Sequence, residues 1–157
     1  IARAIYPALI PPEDGHPTRD LFEIGLDSAR GRGLRSKAPF ARGQRVAKLS
    51  GVLVSAPGLN TIQIAPGIHL HDEWFCRFIL HSCDPNLEID LRTLEAMALR
   101  PIAPGDALSV DYAVTEDRLG RQFACACGAA NCRGWILGRK EEPSAEGLAV
   151  LARRRPR

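Results

Sequence analysis

Hydrophobic positions along this chain come in short runs, each soon closed by glycine or proline. Such punctuation predicts short strands and tight turns rather than long helices. A first strand is expected near Leu21–Leu26, followed by a glycine turn at Arg30–Leu34. Val46–Val54, rich in β-branched and aliphatic residues, predicts the next strand. Thr61–Ala65 alternates apolar and polar positions, and Pro66-Gly67 turns the chain after it. Leu87–Asp90 and Leu94–Pro101 read as two strands joined near Arg92-Thr93. Ala103–Asp106 reads as a turn and Ala107–Tyr112 as a strand. Asp72–Leu80, with Trp74, Phe75, Phe78 and Ile79, is the best helix candidate, and it is short. Residues 1–19 hold Pro7, Pro11, Pro12 and Pro17 without an apolar period and read as an extended N-terminal arm. Arg153–Arg157 reads as a basic, solvated tail. The whole pattern predicts a mainly β domain.

A chain of 157 residues accommodates one domain with a real core. No apolar run approaches the roughly 20 residues of a membrane-spanning helix, so no membrane partner is expected. The net charge of +3 is too small to argue for a nucleic-acid partner.

Five cysteines, an odd number, do not suit a paired disulfide scaffold. They fit a reducing compartment better, so an intracellular, cytoplasmic location is expected, or a nuclear one in a eukaryote. Cys125, Cys127 and Cys132 stand at C-x-C-x4-C spacing, which can fill three corners of a zinc tetrahedron. Cys83, far upstream, is the candidate for the fourth corner, leaving Cys76 as a buried thiol. The alternative is disulfides or free thiols.

Several segments, in order, resemble the SET domain, the fold of most protein-lysine methyltransferases. Arg30-Gly-Arg-Gly-Leu34 is similar to its opening G-x-G motif. Arg77-Phe-Ile-Leu-His-Ser-Cys-Asp-Pro-Asn86 is similar to R-F-x-N-H-S-C-x-P-N. Ile102-Ala-Pro-Gly-Asp-Ala-Leu-Ser-Val-Asp-Tyr112 is similar to I-x-x-G-E-E-L-T-x-D-Y, and Phe123–Trp135 to the post-SET zinc segment. The resemblance implies short curved sheets with a knot-like core, few short helices and a zinc-bound post-SET segment. Its divisions would be an N-terminal arm (1–19), a SET domain (20–122), the post-SET segment (123–139) and a basic tail (140–157).

It also implies S-adenosylmethionine as cofactor, a structural zinc on Cys83, Cys125, Cys127 and Cys132, and a protein or peptide lysine as methyl acceptor. Tyr112 matches the catalytic tyrosine of the family; a strand tyrosine packed at a core edge is the other reading. The cofactor would lie along Gly31, Arg32, Gly33 and Leu34, whose glycines permit close backbone approach; an ordinary glycine turn is the alternative. His81 matches a position whose backbone meets the adenine, or it locks the turn as a buried histidine. Arg77 would touch the cofactor or pair with Asp84 or Asp111. Trp135 and, more weakly, Phe123 would wall the adenine, or pack as ordinary aromatics.

Two positions depart from the family pattern. Leu80 stands where the family has Asn, removing a polar contact at the cofactor pocket. Val110 stands where Phe or Tyr usually narrows the lysine channel, so a wider channel is expected. These departures motivate two further readings: the same fold serving a small-molecule acceptor or a reaction other than methyl transfer, or a binding module without catalysis.

Overall fold

The computed structural model describes residues 3–154. Strands β1 (Phe22–Asp27) and β2 (Gly31–Ser36) form an antiparallel hairpin. The turn, Ser28–Arg30, begins two residues before the glycine turn expected at Arg30–Leu34. Asp27 Oδ1 accepts the backbone N–H groups of Ala29 and Arg30 at 3.0 and 2.9 Å, so an aspartate closes it. Gly31 leaves the turn at φ +84°, and Gly31–Leu34 are strand.

The single strand expected over Val46–Val54 is two, β3 (Arg45–Lys48) and β4 (Val52–Val54), in different sheets. The break falls at Gly51, which packs against the backbone carbonyl of His71 so closely that a side chain would collide with it. β4 pairs with β6 (Ile68–His71), which pairs with β5 (Thr61–Ala65). β6 is absent from the sequence reading, because its two histidines dilute the apolar signal.

The expected helix over Asp72–Leu80 shrinks to a 3-10 turn at Cys76–Phe78. The buried Asp72 carboxylate accepts the backbone N–H groups of Trp74, Phe75 and Cys76 at 3.0 to 3.1 Å, and these bonds coil the chain around one side chain. The chain then enters β7 (Leu80–His81). β8 (Leu87–Asp90) and β9 (Glu95–Ala98) join β3 in a sheet ordered β3-β9-β8. β10 (Ser109–Val110) runs parallel to β7, with Ser109 opposite Leu80 and Val110 opposite His81. Asn86 fastens this crossing: its Nδ2 donates to Ala107 O at 2.9 Å and its Oδ1 accepts Ser109 N–H at 2.9 Å.

The strand expected to run through Tyr112 stops at Val110. Asp111 caps a one-turn helix, α1 (Tyr112–Thr115), by accepting Ala113 N–H at 3.0 Å. β11 (Phe123–Ala124) and β12 (Trp135–Ile136) bracket the cysteine segment.

Both expected loose ends are packed where the structure describes them. In the N-terminal arm Tyr6, Ile10 and Pro17 are buried, and the Tyr6 hydroxyl donates to Asp72 Oδ2 at 2.6 Å. The basic tail contains α2 (Ala145–Arg153), capped by Ser144, whose Oγ accepts Gly147 N–H at 3.1 Å. Arg155, Pro156 and Arg157 lie outside the described residues. The core is centred on Phe22, Leu34, Phe75, Ile79, Leu87 and Leu108, and Phe22 meets Phe75 edge-on at 5.0 Å. No helix among the described residues is long and apolar enough to cross a membrane.

Candidate functional site

The β7–β10 crossing brings Leu80–Cys83 beside Val110–Tyr112, and the segment between β11 and β12 closes over both. Cys83, Cys125, Cys127 and Cys132 converge there, with all four sulfurs within 4.8 Å of one another. Cys83 and Cys125 lie 3.9 Å apart, too far for a disulfide, and all are free thiols. Zinc–thiolate bonds of about 2.3 Å place tetrahedral sulfurs about 3.8 Å apart, so the residues fit the ion. Four sulfur donors fill every corner, which makes the site structural. Arg133 N–H donates to Cys83 Sγ at 3.4 Å, and Asn131 Nδ2 donates to Cys83 O at 3.1 Å. Cys76 stands apart from the cluster.

Tyr112 lies at the centre. Its hydroxyl donates to Ile79 O at 2.6 Å, and its backbone N–H donates to His81 Nδ1 at 3.1 Å. Its ring meets His81 and Phe123 edge-on at 5.2 and 6.0 Å. Burial raises the phenol above the ordinary tyrosine range, so it stays neutral. Burial, opposed by Asp111, pushes the His81 imidazole down to about 4. Burial also disfavours the Asp111 carboxylate, but the Arg133 guanidinium outweighs it and holds the carboxyl below its ordinary value. That pair is bidentate, at 2.6 and 2.8 Å.

Two cavities meet at Tyr112 and Phe123. One, of about 240 Å³, is walled by Ala29, Arg30, Leu80, His81 and Cys125–Ala126. The other, of about 250 Å³, is walled by Gly58–Ile62, Cys76, Arg77, Val110, Glu116 and Leu119–Arg121. A donor in the first chamber and an acceptor in the second would face each other across one tyrosine and one phenylalanine.

The residues singled out in the sequence divide accordingly. Leu80, His81 and Phe123 wall the first chamber. Gly31 and Arg32 are exposed beside it, following Arg30, while Leu34 is buried in the core. Gly33 carries Leu80 directly on its face: a Cβ there would lie 2.6 Å from Leu80 Cδ1. Val110 and Arg77 wall the second chamber. Arg77 pairs with neither carboxylate proposed for it, since Arg100 reaches Asp84 at 3.3 Å and Arg133 holds Asp111. Its guanidinium instead lies 5.2 Å from the centre of the Phe78 ring. Trp135 is buried beneath α2, with Nε1 donating to Gln122 Oε1 at 2.9 Å, and it walls neither chamber.

Three participants escaped the sequence reading. Arg30 reaches Asp27 Oδ2 at 2.9 Å and His81 O at 3.2 Å. Glu116, buried in the wall of the second chamber, accepts Gln63 N–H and the Thr115 hydroxyl. Arg133 follows a cysteine of the cluster, and that adjacency was the available signal for its role.

Residues 58–113 match the SET domain family. "Methyltransferase flvH" of Aspergillus flavus is 36% identical over 87 residues, which is 52% of this chain and 47% of that protein. "Histone-lysine N-methyltransferase Set2" of Drosophila melanogaster is 40% identical over 79 residues, 46% of this chain and 3% of that protein. The chain thus spans less than half the length of either relative. Among solved structures, KRYPTONITE in complex with mCHH DNA, H3(1-15) peptide and SAH superposes with a TM-score of 0.60 at 27% identity, covering 73% of this chain and 29% of that one. The chain has the SET fold and matches the SET domain over residues 58–113, with histone-lysine methyltransferases among the proteins it resembles.

Proposed function

We propose that the chain is an S-adenosylmethionine-dependent methyltransferase acting on the side-chain amine of a protein lysine. The observation that carries this reading is the pair of chambers meeting at Tyr112 and Phe123. The SAH in the KRYPTONITE structure is the demethylated form of the same cofactor, and its H3 peptide supports a lysine-bearing acceptor. S-adenosylmethionine, when bound, supplies an electrophilic methyl group.

Arg30, Leu80, His81 and Phe123 would hold it in the first chamber, with the exposed backbone of Gly31 and Arg32 following Arg30. Gly33, covered by Leu80, and Leu34, in the core, would support that wall from behind. Trp135 would support the covering segment from behind. Leu80 makes that wall apolar, so the grip falls on backbone groups and Arg30. The Tyr112 hydroxyl has its proton committed to Ile79 O, which leaves its lone pairs for weak C–H···O contacts with a methyl group. In the second chamber, loss of water lowers the pKa of an entering amine and favours its neutral, nucleophilic form. Holding amine and methyl in line can contribute on the order of 7 kcal/mol to the rate. Val110 leaves room beside the nitrogen, which suits products beyond monomethyl-lysine. That same room favours a second reading, a small-molecule amine as acceptor.

The test is incubation of zinc-loaded protein with S-adenosylmethionine and lysine-containing peptides, read by mass spectrometry. Methylated peptide, with di- or trimethyl products, is expected. Tyr112→Phe should slow transfer on the order of 10²-fold through misplacement of the reacting atoms. An unchanged rate in folded Tyr112→Phe removes Tyr112 from the mechanism. Methylation of free amines but never of peptides shifts the assignment to the second reading.

A further inference from the structure

The His81 side chain joins the cysteine cluster to the backbone of Tyr112. Its side chain is 3% exposed, and each ring nitrogen has a partner on a different element. Nδ1 accepts the Tyr112 backbone N–H at 3.1 Å. A backbone amide only donates, so this nitrogen carries the lone pair and Nε2 carries the proton. Nε2 lies 3.5 Å from Cys83 Sγ, a distance suited to an N–H···S bond onto a metal-bound thiolate. The nearest carboxylate, Asp111, stands 3.8 Å from Nδ1 and is held by Arg133. The His81 carbonyl is bound separately by Arg30.

We propose that His81 is a positioning residue that couples zinc retention to the placement of Tyr112, through one fixed tautomer. One ring nitrogen stabilises the Cys83 thiolate, and the other sets where the Tyr112 main chain begins α1. Partners of this kind around metal ligands typically change metal affinity 10- to 100-fold when removed. The proposal rests on the cysteine cluster holding zinc, and it does not depend on methyl transfer.

Two substitutions separate the two arms. His81→Asn keeps an acceptor near the Nδ1 position and loses the donor to Cys83. His81→Gln keeps a donor near the Nε2 position and loses the acceptor. The chain has only two tyrosines, so ¹⁵N-tyrosine labelling gives two backbone amide signals, from Tyr6 and Tyr112. Tyr112→Phe, which removes one of them, assigns them.

In the wild-type protein, chelator withdrawal of zinc should move the Tyr112 signal and leave Tyr6 in place. His81→Asn should release zinc to a chelator on the order of tenfold or more faster while keeping the Tyr112 amide proton downfield. His81→Gln should hold zinc near the wild-type rate and lose that downfield position. If a variant does not fold, the wild-type chelation experiment decides by itself. Wild-type protein that carries no zinc overturns the proposal at its premise. Zinc-loaded protein whose Tyr112 signal ignores zinc removal, or whose zinc release is unchanged in His81→Asn, overturns the coupling itself.

Discussion

Gly33 and Leu80 show how a single methyl group would matter in this site. Leu80 lies on the bare face of Gly33, so Gly33→Ala forces two packed groups into one volume. Overpacking of that kind costs about 1–3 kcal/mol. Urea denaturation should show that loss, and shortening Leu80 in the same chain should recover part of it. Glu116 has a different local problem. Burial raises its carboxyl above the ordinary glutamate value of 4.5, against the bonds from Thr115 and Gln63. The folded chain therefore holds this proton more tightly than the unfolded chain does. Its stabilising effect is present at low pH and is lost as pH rises through the raised value. Glu116→Gln should flatten the decline of the urea midpoint above pH 4.5. An unchanged slope would mean that Glu116 is not the group responsible.

Among the elements, α2 carries a function that its composition hides. It packs on Trp135, and the residue that caps its C-terminus reaches the cysteine segment: Arg154 donates to Cys132 O at 2.8 Å. Gly147 is the point of contact, where an added Cβ would lie within 2.5 Å of Trp135 Cε2. Gly147→Ala would gain about 1 kcal/mol in helix propensity. The collision with a buried indole costs about 1–3 kcal/mol, so the net result should be destabilising. A raised melting temperature in that variant would show that α2 does not clasp the segment. The sequence concealed α2 because charged residues dominate its surroundings, and a charge-rich end reads as a tail. Conversely, Trp74, Phe75, Phe78 and Ile79 suggested a helix because they are dense and apolar. Asp72 overrides that density by binding three successive N–H groups in a buried turn.

For the molecule as a whole, chemistry with strict spacing was legible and long-range pairing was not. The four cysteines could be assembled from sequence because metal geometry demands four sulfurs at one point, and the structure brings these four together. The resemblance carried by His81–Asn86 and Asp111-Tyr112 likewise led to the right fold. The position of Arg133 beside Cys132 hinted at a role but did not name Asp111 as its partner, and nothing local marked Glu116 as a wall of the second chamber. Those roles arise where segments distant in the chain meet. Arg77 illustrates the limit: its charge invited a carboxylate partner, but Asp84 and Asp111 belong to other arginines. The two chambers, their shared aromatic wall and the cysteine cluster form one connected unit around Tyr112. Whether the first chamber takes S-adenosylmethionine is measured most directly by titration calorimetry on folded, zinc-loaded protein. Binding in the micromolar range, about −8 kcal/mol, is the predicted result. Folded protein with full zinc and no detectable binding would contradict it.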